Sequence, residues 1–236
     1  ANIEELFTLA GEDIKNYFTY DSLSLACRYF FENGKQVNAY TSAEAFANEM
    51  EEKLGEPKAH VLRYLSNAEK VYEAVGQIFL NFSLHKAATW LHPRVFKALS
   101  TVKFPYLFNT LNEFNHSSFS TPEAVQIFNR FATYNGSNPY SAPGMLSLIP
   151  HLEQNQGTFY PTGGMISIPN ALVALAEKKG VKFVLNSAVK EIVVKDKKIC
   201  GITNENGFVS ADLVVSNVDS YFTYKHLLGD VAAAKK

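Results

Sequence analysis

Near residue 155 the apolar residues of this chain change their period, and no other feature constrains the fold as strongly. Upstream, apolar positions recur at helical spacing; after Gly157, short β-rich runs alternate with a single helical segment. Such a switch reads as an α+β chain in two regions, residues 1–155 and 156–218, with 219–236 leading on. At 236 residues there is enough chain to bury a sizeable core without disulfides or a metal.

The first region is expected to be mostly helical. Ile3, Leu6, Phe7 and Ala10 fall on one helical face, and Gly11 ends it. Between residues 27 and 40, Asn33-Gly34 separates two aromatic or β-branched runs, which predicts a β-hairpin with a two-residue type I′ turn. Thr41-Ser42-Ala43-Glu44 has capping-box spacing and predicts a helix to about Leu54. From Pro57 to about His85, the residues Val61, Leu65, Ala68, Val71 and Val75 build one apolar stripe, with a possible loosening near Gly76. Shorter helices are expected around Pro93–Leu99 and Pro105–Phe114. A helix should start at Thr121-Pro122-Glu123 and end before Asn135-Gly136, followed by an irregular turn-rich stretch.

In the second region an aromatic strand at Gly157–Pro161 leads through Gly163-Gly164 into a helix ending at Gly180. The helix start is open between Met165 and Ile168, because Pro169 lies just inside it. VKFVLN (181–186) reads as a buried strand, and further strands follow, separated at Asp196-Lys197 and Asn206-Gly207 and reaching VVSN (214–217).

Composition excludes several functions. A net charge of −1 with no Lys/Arg cluster offers nothing to neutralise nucleic-acid phosphates. No apolar run approaches the roughly 20 residues of a bilayer span, and ANIEELFTLAGEDI has no secretion-signal pattern. Cys27 and Cys200 fit neither a disulfide framework nor a metal spacing and are expected to be buried free thiols in a reducing cytoplasm. His60, His85, His92, His116, His151 and His226 show no helical zinc spacing, so no metal is expected. No Gly-x-Ser-x-Gly elbow is present. The 18 Phe and 12 Tyr can equally pack a core or line an apolar cavity. Gly163-Gly164 precedes a helix, where free amides can hold an anion. A dinucleotide fingerprint needs three spaced glycines and a later acid, so a tight backbone turn is the favoured reading.

Three pieces together carry a family resemblance: Asn-Pro-x-x-x-Pro at Asn138–Pro143, Tyr-Pro-x-Gly-Gly-Met at Tyr160–Met165, and VVSNVD at Val214–Asp219 with TYKHLL after it. With RFATYNGSNPYSAPG and its flanks, they make residues 130–228 resemble the middle of bacterial-type phytoene desaturases, the FAD-dependent carotenoid desaturases of the flavin amine oxidase-like group. Where many relatives have a further Gly after the Met, this chain has Ile166.

The resemblance implies a largely helical substrate domain over 1–155, a partial Rossmann-type FAD-binding domain over 156–218, and a return toward the substrate domain over 219–236. It implies an enzyme that desaturates a long apolar polyene such as phytoene, with FAD as electron acceptor. A retinol saturase-like or hydroxycarotenoid desaturase-like enzyme, and a lipid- or carotenoid-binding domain without catalysis, are the alternatives. The Gly-x-Gly-x-x-Gly pyrophosphate loop is absent from the sequence, so the chain is expected to be a fragment, inactive and without FAD on its own. By resemblance, Val189 offers backbone to the adenine side of FAD, Ser216 and Asn217 lie near the cofactor, and Gly163 and Gly164 lie at the domain junction. Val189 is equally readable as a core strand residue, and no catalytic residue can be assigned. The apolar substrate implies a cytoplasmic enzyme bound peripherally to a membrane surface.

Overall fold

The computed structural model describes residues 2–82 and 104–228, and in the stretch between them residues 86, 89, 91–93, 95, 98 and 102. It contains two compact units, residues 1–172 and 173–236, so that the division falls within the helix after the glycine pair.

The first unit is built on a helical stack against a hairpin. Helix α1 (Asn2–Leu9) precedes strands β1 (Tyr20–Leu23), β2 (Leu25–Phe30) and β3 (Gln36–Tyr40). Strands β2 and β3 pair antiparallel as expected, with a register shift between Leu25 and Cys27. The turn differs from type I′. Phe31 N–H donates to Lys35 O and Gly34 N–H to Phe31 O, each at 3.0 Å, while Gly34 is at φ +80° and Asn33 is not left-handed. This is a three-residue connection in which only Gly34 needs positive φ. The reason is tertiary: the Asn33 side chain accepts from Lys35 N–H at 3.1 Å and donates to Glu123 at 2.8 Å.

Helix α2 (Ala43–Leu54) is capped by Ser42 rather than Thr41, whose hydroxyl instead donates to Leu23 O at 2.8 Å. Helix α3 (Lys58–Asn81) runs unbroken past Gly76. Its stripe of Val61, Leu65, Ala68, Val71 and Val75 is buried as the spacing predicts. Val61 and Leu65 join Val37, Phe46, Met50 and Phe128 in one core, and Val71 and Val75 join Ile78 and Tyr106 in a second. Each fully buried side chain of this size contributes about 1.5–3 kcal/mol of transfer free energy. Helix α3 ends at Asn81, with an extended Phe82 as its C-cap, a turn short of the expected His85, and the expected helix at Pro93–Leu99 lies outside the fully described residues.

The expected Pro105–Phe114 helix is two, α4 (Phe104–Phe108) and α5 (Leu111–Ser118), separated where Thr110 and Glu113 form a reciprocal capping box. Helix α6 (Pro122–Asn129) starts as predicted, then tightens into a 3-10 segment, Arg130–Asn135. A further 3-10 segment, Gly144–Leu148, leads into α7 (Ile149–Gln154). Strand β4 (Thr158–Pro161) pairs antiparallel with β1, Tyr20 opposite Pro161 and Leu23 opposite Thr158. Helix α8 begins at Ser167 and runs to Lys178.

In the second unit β5 (Glu191–Lys195), β6 (Lys198–Asn204) and β7 (Gly207–Ser210) form an antiparallel sheet in the order β5-β6-β7. Asp196 and Lys197, at φ 48° and 64°, make the tight left-handed turn between β5 and β6. A π-helical turn, Thr223–Leu227, follows.

Two expectations fail here. Residues 181–186 and 214–217 are not strands, and the side chains of 181–186 are exposed rather than buried, Leu185 at 81%. A strand exists only when a neighbour accepts and donates along its backbone, and no described segment pairs with either run. The parallel pairing of a Rossmann-type sheet is accordingly absent among the described residues. Cys27 and Cys200 are free thiols but only half-buried, Cys27 because it sits at the margin of the first core rather than inside it.

Candidate functional site

Arg130 is the only Lys or Arg between Lys103 and Lys178. It sits where α6 passes into its 3-10 extension, and the fold surrounds it with partners from two other places in the chain and from its own 3-10 segment. Its Nε donates to the Tyr29 hydroxyl of β2 at 2.6 Å, and Nη2 donates to both oxygens of Glu153 on α7 at 3.2 and 3.0 Å. Tyr134, one turn further along the 3-10 segment, donates to the same Glu153 at 2.7 Å. Three rings flank the guanidinium, with centroids 5.4 Å (Tyr29), 4.7 Å (Phe131) and 5.6 Å (Tyr134) away.

Protonation states follow from this packing. Burial first, and then the Cys27 thiol beside it, pushes the Tyr29 phenol well up. Burial and the bond to Glu153 push Tyr134 up as well, so both phenols are neutral at neutral pH. For Arg130 burial opposes the charge, yet Tyr29 and Glu153 raise its pKa on balance. Because Tyr29 is uncharged near neutrality, Glu153 is the partner that matters there.

This network edges a cavity of about 360 Å³ within the first unit. Its apolar wall comes from Ala26, Ile149, Leu152 and Phe159, and Cys27 and Thr158 complete the side facing β2 and β4. The aromatic supply therefore divides: Phe46, Phe119 and Phe128 are core, whereas Phe159 and Tyr134 line the cavity. A space with an apolar wall and one fixed polar edge is the usual form of a small-molecule site.

The positions singled out in the sequence are distributed over both units. Gly163 and Gly164 lie in the first, at φ +86° and +87°, just past β4. Gly164 N–H donates to Pro161 O at 2.9 Å, and Ser167 caps back onto Gly164 O through both its backbone amide and its hydroxyl. A Cβ on Gly163 would meet nothing within 4 Å and one on Gly164 only the Tyr160 hydroxyl, so the turn presents open backbone. Thr162 N–H donates to Thr19 O at 2.8 Å and holds the turn at the end of the β1–β4 pair. Val189, Ser216 and Asn217 lie in the second unit and are exposed. The Ser216 hydroxyl is within 2.8 Å of the Thr223 hydroxyl, which fixes a local turn. Exposed backbone at the glycine turn fits the close approach of a flat ring such as a flavin. The fit is limited to that turn, since the sequence contains no phosphate-holding glycine loop.

Tyr29, Arg130, Tyr134 and Glu153 were not among the positions predicted from sequence. The available signal was the solitary cation in a long stretch otherwise without Lys or Arg.

Comparison with known proteins agrees with the motifs. A 1-hydroxycarotenoid 3,4-desaturase of Flavobacterium sp. (strain P99-3) is 41% identical over 234 residues, covering 99% of this chain and 48% of that protein. A 4,4'-diapolycopene oxygenase of Methylomonas sp is 29% identical over 99% of the chain and 47% of the relative. A 4,4'-diaponeurosporene oxygenase of Staphylococcus aureus (strain bovine RF122 / ET3-1) is 26% identical over 95% and 45%. The chain spans about half the length of the relatives it matches. The flavin containing amine oxidoreductase family matches residues 3–229, and the chain belongs to that family.

Proposed function

We propose that this chain is part of an FAD-dependent oxidoreductase that desaturates a long apolar carotenoid, and that the preferred substrate is a hydroxylated one. The 41% identity to a 1-hydroxycarotenoid 3,4-desaturase along 99% of the chain carries this reading. The relatives named as oxygenases are more distant, so desaturation is favoured over oxygen insertion. In this reading residues up to about 155 are substrate-domain material, and Gly163, Gly164, Val189, Ser216 and Asn217 face the flavin region.

A bound flavin would supply the acceptor for the two electrons leaving the substrate. The part played by this chain's own residues is binding and orientation. Ile149, Leu152 and Phe159 take apolar chain out of water, and β4 leads from Phe159 to the glycine turn within about 14 Å of backbone.

The test is product analysis with the whole enzyme, supplied with phytoene in one reaction and a 1-hydroxylated acyclic carotenoid in another, alongside its flavin absorbance. The expected result is a flavoprotein that adds a double bond to the hydroxylated compound in preference to phytoene. Exclusive use of phytoene would restore the hydrocarbon-desaturase reading, and a flavin-free protein inert toward both would sink the proposal. Carotenoids partition into bilayers, so we infer a peripheral, cytoplasmic membrane association; no described helix is long and apolar enough to cross a membrane. Whole enzyme that stays in the supernatant when lipid vesicles are pelleted would reject this.

A further inference from the structure

We propose that Arg130, together with Glu153 and Tyr134, is the recognition site for a neutral hydroxyl at the end of the substrate. The inference rests on the reading of the whole enzyme as a carotenoid desaturase and adds to it where the polar terminus is held.

The chemistry of the edge selects the ligand class. Arg130 uses Nε on Tyr29 and Nη2 on Glu153, and the Tyr134 hydroxyl also bonds the guanidinium, which leaves at least one of its five N–H donors for a ligand. Glu153 Oε1 accepts only the longer 3.2 Å bond, so it retains capacity for a further donor. One unused donor and one under-used acceptor on a common ion pair match a hydroxyl, which both donates and accepts. A carbonyl would use only the donor, and a hydrocarbon terminus neither. The pair is also electrically balanced, +1 against −1, so it has no net charge with which to hold a carboxylate or phosphate.

Geometry adds rigidity and placement. The guanidinium is anchored at two edges and flanked by three rings, so little side-chain freedom is left to lose when a ligand binds. Glu153 is nearly buried, its side chain at 10% exposure, and Arg130 retains 31%, on the cavity margin. A volume of 360 Å³ is at the low end of ligand pockets, roughly 300–1,000 Å³, and suits the end of a polyene rather than its whole length. Polar atoms on one edge and an apolar wall on the other then fix which end of the substrate enters.

The experiment uses the whole flavoenzyme and compares a 1-hydroxylated acyclic carotenoid with the same polyene lacking the hydroxyl. Affinity is read from the carotenoid absorbance shift on binding, and turnover from KM and kcat. Wild type should prefer the hydroxylated ligand. Arg130→Met should weaken it about tenfold or more through KM, while the hydrocarbon changes less than about twofold. Tyr134→Phe keeps the ring and removes one hydroxyl; it should move the same ratio in the same direction by a smaller factor, and it decides the matter if Arg130→Met does not fold. Equal loss on both ligands would assign these residues a packing role and overturn the proposal, as would unchanged preference in Tyr134→Phe. Wild type that binds both ligands equally overturns the hydroxyl site but leaves the desaturase reading intact, whereas wild type that binds neither removes both.

Discussion

Single side chains hold this fold together across long stretches of sequence, and Glu56 is the strongest case. It is completely buried, and its carboxylate accepts from Ser120 N–H at 2.9 Å, Thr121 N–H at 2.8 Å and the Thr121 hydroxyl at 2.9 Å, with His60 Nδ1 at 2.8 Å. It thereby satisfies the two amides just before α6 and takes the Thr121 hydroxyl, which makes no side-chain cap bond of its own, and it places a carboxylate near the positive end of that helix. Glu56→Ala should cost about 2 kcal/mol, because it leaves two part-buried backbone donors without their acceptor, and Glu56→Gln should cost less. Urea unfolding of the two variants checks the order; equal midpoints for wild type and Glu56→Ala would refute it.

A second carboxylate carries a pH signature. Lys35 first, at 2.8 Å, and then the helix backbone and Asn33 hold the Glu123 carboxyl below its ordinary range. A depressed folded pKa means the contribution is fully present above the unfolded value, about 4.3, and is lost as pH falls through the lower folded value. Lys35 is 41% exposed, so solvent screening keeps the effect under about 1 kcal/mol. The stability gap between wild type and Lys35→Met should therefore exist at pH 7 and close near pH 2. A gap of the same size at both values would mean that the pair contributes nothing through charge.

At the scale of elements, the helices around α5 are locked by a chain of buried amides. Tyr64 donates to Asn115 at 2.7 Å, Asn115 to Asn129 at 2.8 Å and Asn129 to Asn112 at 2.8 Å, connecting α3, α5 and α6. Asn115 is wholly buried, and both its bonds cross between helices. Asn115→Leu should lower stability by about 2–3 kcal/mol, since Tyr64 and Asn129 each lose a buried hydrogen-bond partner. A double variant with Tyr64→Phe should cost less than the sum of the two single changes, and strict additivity in a double-mutant cycle would contradict the coupling.

The elements themselves were largely legible. Helix starts at Pro57 and Pro122, the long apolar stripe of α3 and the β5–β6 turn at Asp196-Lys197 follow from local chemistry, and all are where that chemistry puts them. Strand β1 was not legible: its partner β4 is far along the chain, and Tyr20–Leu23 is polar at Asp21 and Ser22. The expected type I′ turn at Asn33-Gly34 failed for a related reason, because Glu123 on a distant helix holds the Asn33 side chain.

On the scale of the whole molecule, the second unit carries the clearest mismatch between pattern and structure. Val184, Leu185, Leu213 and Val215 are each more than 70% exposed. Exposed apolar side chains, where they gather on a surface, bind hydrophobic probes and promote association. The 236-residue chain should therefore bind an apolar fluorescent dye, and Val184→Lys with Leu185→Lys and Val215→Glu should reduce the signal severalfold without loss of the helical circular dichroism. Undiminished dye binding in that triple variant would place the exposed apolar surface elsewhere.

The sequence by itself determined the mixed class, the positions of most helices and hairpins, and, through its Asn138–Pro143, Tyr160–Met165 and Val214–Asp219 motifs, the family. These are properties of neighbouring residues: period, caps, turn formers and short ordered strings. Only the tertiary structure decided which groups Arg130 meets, because Tyr29 and Glu153 reach it from 101 and 23 residues away. Only the tertiary structure, likewise, decided that residues 181–186 are not a strand. A hydrogen-bond partner is chosen by position in space, and β pairing exists only where a second strand is present to complete it.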